Sequence, residues 1–295
     1  MQSTNRARKS LLIGLDAFGT LFSPRRPIAV QYGEIARRHG LGGFSDDELS
    51  TSFKRGIMPI HSEGQGYQGA RTSVGMNAPT WWGNVITKTF QPFLQSGNLL
   101  PKQIIPDLIE RFSSAEGYFI YPDVLPFFHA LRSLKNNHDM SKTWDWEKTV
   151  VGIITNSDDR VPDILAGFGL SVGPRRVGNK EDRRAEEHVD ADVSFVVLSY
   201  DVGYEKPHCQ VFRAAEELLH EGLGASKEDH EDFVKVYIGD DLEKDALAAT
   251  AAGWQGLYLD REGKFKNRDF EEPKGETGPV DVIKDLRAVM SLRPT

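Results

Sequence analysis

Four apolar runs in this chain each end in groups that can do chemistry. Leu11–Leu15 ends in Asp16, with Phe18, Gly19 and Thr20 following. Val150–Thr155 ends in Thr155, Asn156 and Ser157, and Val193–Leu198 leads into a polar stretch holding Gly203 and Lys206-Pro207. Val234–Ile238 ends in Gly239, Asp240 and Asp241, with Asp245 one helical turn on. The four ends deliver a carboxylate, a hydroxyl, an ammonium and a carboxylate pair. Carboxylates gathered in one place repel each other unless a cation or a lysine offsets them. Gly19 lets the backbone turn sharply after Asp16, and the Thr20 hydroxyl can orient a neighbouring carboxylate. Read alone, Asp16 is equally a strand-capping aspartate; the recurrence of the pattern at four strand ends favours a site.

The elements that must position these groups follow from the same runs. A strand apolar at nearly every position is buried on both faces, as in parallel sheets, and such sheets place ligands at their carboxyl ends. Helical patterns at Val124–Leu134, His208–Leu219 and Leu242–Ala252 supply the crossovers that parallel strands require. The expected class is α/β, a Rossmann-like three-layer core with a mainly parallel sheet. Between Ser23 and Gly117 the spacing changes to three and four residues, predicting helices over Ile28–Arg38, Asp46–Ile57, Thr80–Leu94 and Lys102–Phe112. Ser45 with Glu48 reads as a capping box, and Pro101 suits a first helical position. Asn136–Lys148 and Gly173–Asp190 read as loop insertions. The second carries Arg183-Arg184 beside Glu186-Glu187, a mixed charge typical of solvated surface.

Composition narrows the function classes. A chain of 295 residues fits a core plus a second domain. Acidic residues exceed basic ones, 43 against 36, for a net charge of −7. With no long basic stripe, a nucleic-acid partner is not expected, and Arg6, Arg8 and Lys9 read as a solvated lead-in. A cleaved targeting peptide fits poorly, because the first strand starts at Leu11. No apolar run is long enough to span a bilayer, so no membrane partner is expected. Cys209 is the only cysteine, which leaves neither an intrachain disulfide nor a cysteine zinc site. No Asn-x-Ser/Thr acceptor occurs, and a reducing intracellular compartment follows, the cytoplasm by default with the nucleus left open. There is no His-Glu-x-x-His spacing and no phosphate loop of the Gly-Lys-Ser/Thr kind, and His188 and His208 read as exposed. Composition does not set the oligomeric state.

The order Asp16, Thr155, Lys206-Pro207, Gly239-Asp240-Asp241 resembles the haloacid dehalogenase superfamily of aspartate-nucleophile hydrolases. Trp81-Trp82, Thr89-Phe90 and Tyr121-Pro122-Asp123-Val124 further resemble the eukaryotic group called haloacid-dehalogenase-like hydrolase domain protein three. The resemblance implies a core domain of residues 1–22 and 118–295 and an inserted all-helical cap of residues 23–117 that shapes the substrate pocket. Trp81 and Trp82 read as cap core rather than substrate contacts, and Lys54-Arg55 and Arg71 as solvated.

By the same resemblance, Asp16 is the nucleophile toward a small-molecule substrate. A carboxylate attacking a phosphoryl dianion needs its repulsion removed, which Mg²⁺ does while holding the oxygens in line. Mg²⁺ takes oxygen ligands and usually one or two protein carboxylates. Asp16 and Asp240 are the candidates, with the main-chain carbonyl of Phe18 as a third contact. Asp241 shares the candidacy, and Asp245 holds either Lys206 or a metal-bound water. Lys206 steadies the nucleophile and the transferred group, while Thr155 and the Asn156 amide donate to a phosphoryl oxygen.

Phe18 breaks the phosphatase pattern. Family phosphatases carry there a second aspartate that protonates the leaving oxygen. A phenyl ring transfers no proton, and the missing general acid is worth ~10²–10⁴ in rate, about 3–5 kcal/mol of barrier, for a poor leaving group. Dehalogenases of the superfamily place an aromatic residue at this position, work without metal and need a cap arginine, for which Arg55 is the candidate; their last motif lacks the Gly-Asp-Asp cluster. The carboxylate cluster weighs more heavily. The first reading is therefore a Mg²⁺-dependent phosphohydrolase of a small phosphorylated metabolite, slowed by Phe18. The alternatives are a metal-free 2-haloacid dehalogenase and a catalytically impaired binding or regulatory protein of this fold.

Overall fold

The computed structural model describes residues 9–62, 76–136, 144–178, 191–223, 233–265 and 280–294. Arg6, Arg8, Arg71, Arg183-Arg184, Glu186-Glu187 and His188 lie outside them. Among the described residues no helix is long and apolar enough to cross a membrane.

Seven strands form one sheet: β1 (Ser10–Leu15), β4 (Thr149–Thr155), β5 (Val172–Arg176), β6 (Val193–Leu198), β7 (Phe233–Gly239), β8 (Gln255–Leu259) and β9 (Asp281–Ile283). Their order is β5-β6-β4-β1-β7-β8-β9, and every pairing is parallel. Two short strands, β2 (Phe22–Pro24) and β3 (Tyr118–Ile120), pair separately. The expected α/β class with a parallel sheet is therefore the observed one. The chain runs outward from β1 through β4 to the β5 edge, then returns to add β7 on the other side of β1. That reversal makes a topological switch point at the central strands.

Three of the four apolar runs are fully buried strands or nearly so, β1, β4 and β6, and β7 is buried from Val236 onward. Leu15 is level with both Ile153 and Ile238, which sets Asp16 beside the end of β7. The Asp16 amide donates to the Ile238 carbonyl at 2.9 Å, tying the two strand ends together. The core behind them packs Leu12, Ile154, Phe195, Phe212, Tyr237 and Trp254.

Two parts of the expected loops are structured. Val172–Arg176 forms the edge strand β5, although its Gly-Pro-Arg-Arg run gives no apolar signal; a proline is tolerated where one side of the strand lacks a ladder partner. Trp144 and Trp146, in the stretch read as the first insertion, are buried, and the Trp144 indole donates to the Thr149 hydroxyl at 2.9 Å.

The chain divides into two compact units. One comprises residues 1–22, 120–156 and 170–295, and the other residues 23–119 and 157–169. In the second, helices Ile28–Arg38, Asp46–Ser62, Ala78–Phe90 and Ile104–Phe112 surround Tyr32, Leu49, Val85, Phe90 and Leu108. The Tyr32 ring lies 5.3 Å from Phe53, 6.0 Å from Phe90 and 5.6 Å from Phe112. Ser45 and Glu48 form the capping box, with Ser45 N donating to Glu48 Oε2 at 2.8 Å and Glu48 N to Ser45 Oγ at 3.2 Å. Pro101 does not open its helix, which starts at Ile104; its carbonyl instead accepts the Ile104 amide in the preceding turn. Helix Val161–Gly167 belongs to this unit and carries Asp158 and Arg160 just ahead of it. Trp81 is buried, and the Trp82 indole donates to Asp158 at 2.9 Å while Arg160 stacks 4.3 Å over its ring. Burial alone would raise the Asp158 pKa, but the Arg160 charge and the bonds from Arg160 and Trp82 outweigh it and hold the carboxyl below its ordinary value.

In the sheet unit, Asp192 is held comparably. It accepts from Arg132 Nε and Nη2, and from the Ser171 amide and hydroxyl at 2.7 and 2.9 Å. Burial opposes ionisation, yet the Arg132 and Ser171 bonds prevail and depress its pKa. Because the folded value lies below the unfolded one, the stability contributed is full above about pH 4 and lost as pH falls through the folded value. Asp192→Ala is expected to cost about 1–3 kcal/mol at pH 7. Urea unfolding at stepwise lower pH should show that deficit shrinking below about pH 4; a constant deficit would rule out the charge as its source.

Candidate active site

Three strand ends build the site. Asp16 follows β1, Thr155 closes β4 with Asn156 after it, and Asp240 follows β7. Lys206 comes from the loop after the short helix Ser199–Val202 that follows β6, and Asp245 from the helical segment Leu242–Ala251 whose first turns are π-helical. Together with Phe18 and Lys244 they line a cavity of about 260 Å³.

The Lys206 ammonium is the hub. Its Nζ lies 2.8 Å from Asp16 Oδ1, 2.6 Å from Asp245 Oδ1 and 2.7 Å from the Tyr237 hydroxyl. The Asn156 side chain fixes the lysine's backbone by accepting the Lys206 amide at 2.7 Å and donating to its carbonyl at 3.0 Å. Thr155 is buried and lines the cavity.

One oxygen from each of Asp16, Asp240 and Asp245 lies within 4.8 Å of the others. Two glycines make the room. Gly19 has φ +79°, and a Cβ there would fall 2.1 Å from Asp240 Oδ2; a Cβ on Gly239 would fall 2.2 Å from Asp245 Oδ2. The Thr20 hydroxyl donates to Asp240 Oδ1 at 3.2 Å. Asp241 is placed differently: its Oδ1 accepts the Glu243 and Lys244 amides and caps the following helix, and it is not one of the three converging carboxylates.

Charge in the cluster is unbalanced, with three carboxylates around one buried ammonium. Burial lowers the Lys206 pKa, but Asp16 and Asp245 overcome it and the net shift is upward, so the lysine is charged. Asp240 is raised by burial first and by Asp16 second. Asp245 is pushed up to about 6, again by burial and then Asp16, with Lys206 opposing. The two partners of the Lys206–Asp245 pair thus shift in senses that do not both express a satisfied ion pair, because the acid also faces Asp16. A divalent cation among the three carboxylates would relieve this surplus, and the oxygen-only donor set suits a hard ion.

Phe18 also lines the cavity, its ring meeting Phe22 edge-on at 4.7 Å between centroids. Arg55 is exposed on helix Asp46–Ser62 and faces a groove of the helical unit, next to Asp47 and Lys88. Lys54 and His208 are exposed as well. Three participants escaped sequence reasoning. Tyr237 sits inside a buried strand, where an aromatic reads as core. Lys244 lies among charged residues of an exposed helix face. Arg261 donates to the Gly19 carbonyl at 3.2 Å while paired with Asp123 at 2.9 Å, bracing the turn after Asp16; only Asp123 carried a signal, within Tyr121-Pro122-Asp123.

Comparisons with known proteins give the family and the fold. A haloacid dehalogenase-like hydrolase family profile matches residues 12–253. A putative uncharacterized hydrolase of Schizosaccharomyces pombe is 28% identical over 265 residues, covering 90% of this chain and 97% of its own. The haloacid dehalogenase-like hydrolase domain-containing protein 3 of Bos taurus is 25% identical over 251 residues, covering 84% and 81%. The crystal structure of a 2-haloacid dehalogenase from Pseudomonas syringae pv. Tomato shares the fold with a TM-score of 0.54 at 18% identity, over 95% of this chain and 96% of the other. With a family match spanning most of its length and the motif residues gathered at one sheet edge, this chain belongs to the haloacid dehalogenase-like hydrolases.

Proposed function

We propose that the protein is a Mg²⁺-dependent phosphohydrolase acting on a small phosphorylated metabolite, with Asp16 as nucleophile. The observation that carries this reading is the convergence of Asp16, Asp240 and Asp245 around a single lysine. Asp16 and Asp240 would hold the ion, with the Phe18 carbonyl as a third contact and Asp241 and Asp245 beside them. Bound there, Mg²⁺ would offset the charge of the phosphoryl group and align its oxygens.

The remaining steps belong to the chain's own side chains. Asp16 Oδ1 is held by Lys206, which leaves Oδ2 to attack phosphorus while the substrate oxygen departs with the bonding pair. Thr155 donates to a phosphoryl oxygen, and the Asn156 amide supports it. Water then attacks the aspartyl-phosphate, releasing phosphate and restoring Asp16. Lys206 contributes charge rather than a proton, since each of its three hydrogens already has an acceptor. Phe18 offers none either. Leaving groups that depart unprotonated, such as acyl and aryl phosphates, are therefore favoured.

Phe18 is also the observation that favours a second reading, a metal-free 2-haloacid dehalogenase, because a halide leaves without a proton. Metal dependence separates the two. Mg²⁺ at a hundredfold excess over its Kd should stabilise the protein by about 2.7 kcal/mol, seen as a higher Tm, and Asp240→Ala should abolish the rise. Aryl phosphate turnover should stop in chelator. No Mg²⁺ effect at millimolar concentration removes the main support for the phosphohydrolase, and halide release from 2-haloacids in chelator moves the assignment to the dehalogenase. Turnover of neither substrate points to a binding or regulatory role.

A further inference from the structure

We infer that Tyr237 is a positioning residue for the reaction, its hydroxyl serving as the neutral third arm of a tripod that fixes the Lys206 ammonium against Asp16. The inference rests on the phosphohydrolase reading for its catalytic meaning, and on geometry alone for the tripod. An ammonium has three hydrogens and no acceptor site. Here the three meet Asp16 Oδ1, Asp245 Oδ1 and Tyr237 Oη, at 2.8, 2.6 and 2.7 Å.

The hydroxyl is oriented to accept. Its single hydrogen has the Ile154 carbonyl at 2.6 Å, against 3.4 Å to Asp245 Oδ1, so a lone pair is left facing Lys206. The ring that carries it cannot swing away. Tyr237 is fully buried, with Phe212 edge-on at 5.2 Å and Trp254 at 6.5 Å. Ile154 directly precedes Thr155, so the same hydroxyl ties the lysine to the strand end that presents the phosphoryl-binding threonine.

A neutral acceptor suits this position. A third carboxylate on the lysine would deepen the charge surplus, and an apolar residue would leave one N–H without an acceptor in a buried site. Two acceptors alone define a line along which the ammonium can rotate; the third defines a point. Removing the oxygen should let Nζ turn toward the cavity and release Asp16 Oδ1 from its fixed orientation.

Tyr237→Phe deletes the oxygen and keeps the ring. Phe212→Leu disturbs the same packing without touching the lysine and serves as the structural control. Turnover of an aryl phosphate with Mg²⁺ is measured beside the ¹⁵N-lysine ammonium signal of Lys206, identified by its loss in Lys206→Met. Tyr237→Phe is expected to lower kcat about tenfold with KM changed by less than about twofold, and to speed exchange of the Lys206 ammonium hydrogens. Phe212→Leu should lower Tm while leaving kcat and the ammonium signal in place. The inference is overturned if Tyr237→Phe keeps both kcat and slow exchange, or if Phe212→Leu loses kcat equally at the same drop in Tm. Should the wild type turn over no phosphate, the proposed function fails on its own account and the ammonium signal decides: faster exchange in Tyr237→Phe upholds the tripod, and unchanged exchange overturns it.

Discussion

Asp16→Asn is expected to reduce phosphate turnover by roughly 10⁴-fold or more while leaving the protein folded. The amide is nearly the size of the carboxylate, and its carbonyl oxygen can still accept from Lys206, so the buried ammonium keeps all three arms. What would disappear is the anionic oxygen proposed to attack phosphorus. The loss should fall on kcat, since the groups proposed to bind the ground state, Thr155 and the remaining carboxylates, are unchanged. An acid-quenched reaction with labelled substrate should show phosphate attached to the wild type and none attached to Asp16→Asn. Turnover persisting in the variant at more than trace level would remove Asp16 from the nucleophile's role.

Phe18→Asp should act in the opposite direction. If the missing general acid limits the wild type, restoring a carboxyl group should raise the rate on alkyl phosphates by about 10²-fold or more, and on aryl phosphates far less. The contrast between the two substrate classes is the measurement, because a general effect on folding or metal affinity would move both. Such effects are expected alongside it. The variant loses the edge-on contact with Phe22 and adds a carboxylate to a cavity already rich in them. Tm and Mg²⁺ binding therefore belong in the same experiment. An equal change on both classes, with fold and metal binding preserved, would sink this account of Phe18.

Much of the fold is legible in the sequence wherever burial on both faces forces an unbroken apolar run. β1, β4, β6 and the second half of β7 are written nearly that way, and the polar residue following each run falls at the sheet's carboxyl edge. Asp16, Lys206, Asp240 and Asp245 are brought together there because parallel strands in register align their ends. The edge strand β5 escapes detection for the complementary reason: a strand at the margin does not need the apolar run, and Val172–Arg176 carries Gly, Pro and two Arg instead. β8 and β9 are short, and their own residues carry no chemistry to draw attention. Tyr237 was hidden by its own burial. A tyrosine in a strand interior packs as any aromatic does, and only the position of its oxygen beside Lys206 separates the two roles. The capping function of Asp241 was equally out of reach, since Gly-Asp-Asp before a helix spells a ligand pair and an N-cap with the same letters.

The helical unit is drawn from two stretches of chain, residues 23–119 and 157–169, and this affects how such proteins can exchange parts. A graft that lifts out only the long insert would carry Trp82 to its new host and strand Asp158 and Arg160 behind. The buried acid would then keep its arginine but lose the indole bond at 2.9 Å, and the arginine would lose the ring beneath it. A transplant that preserves these contacts must move the short stretch as well, and its first residue, Ser157, directly follows Asn156. Recombination of this unit thus reaches into the sequence next to Thr155 and Asn156, which line the candidate site, so that new helices and a new loop at that strand end would tend to be inherited together.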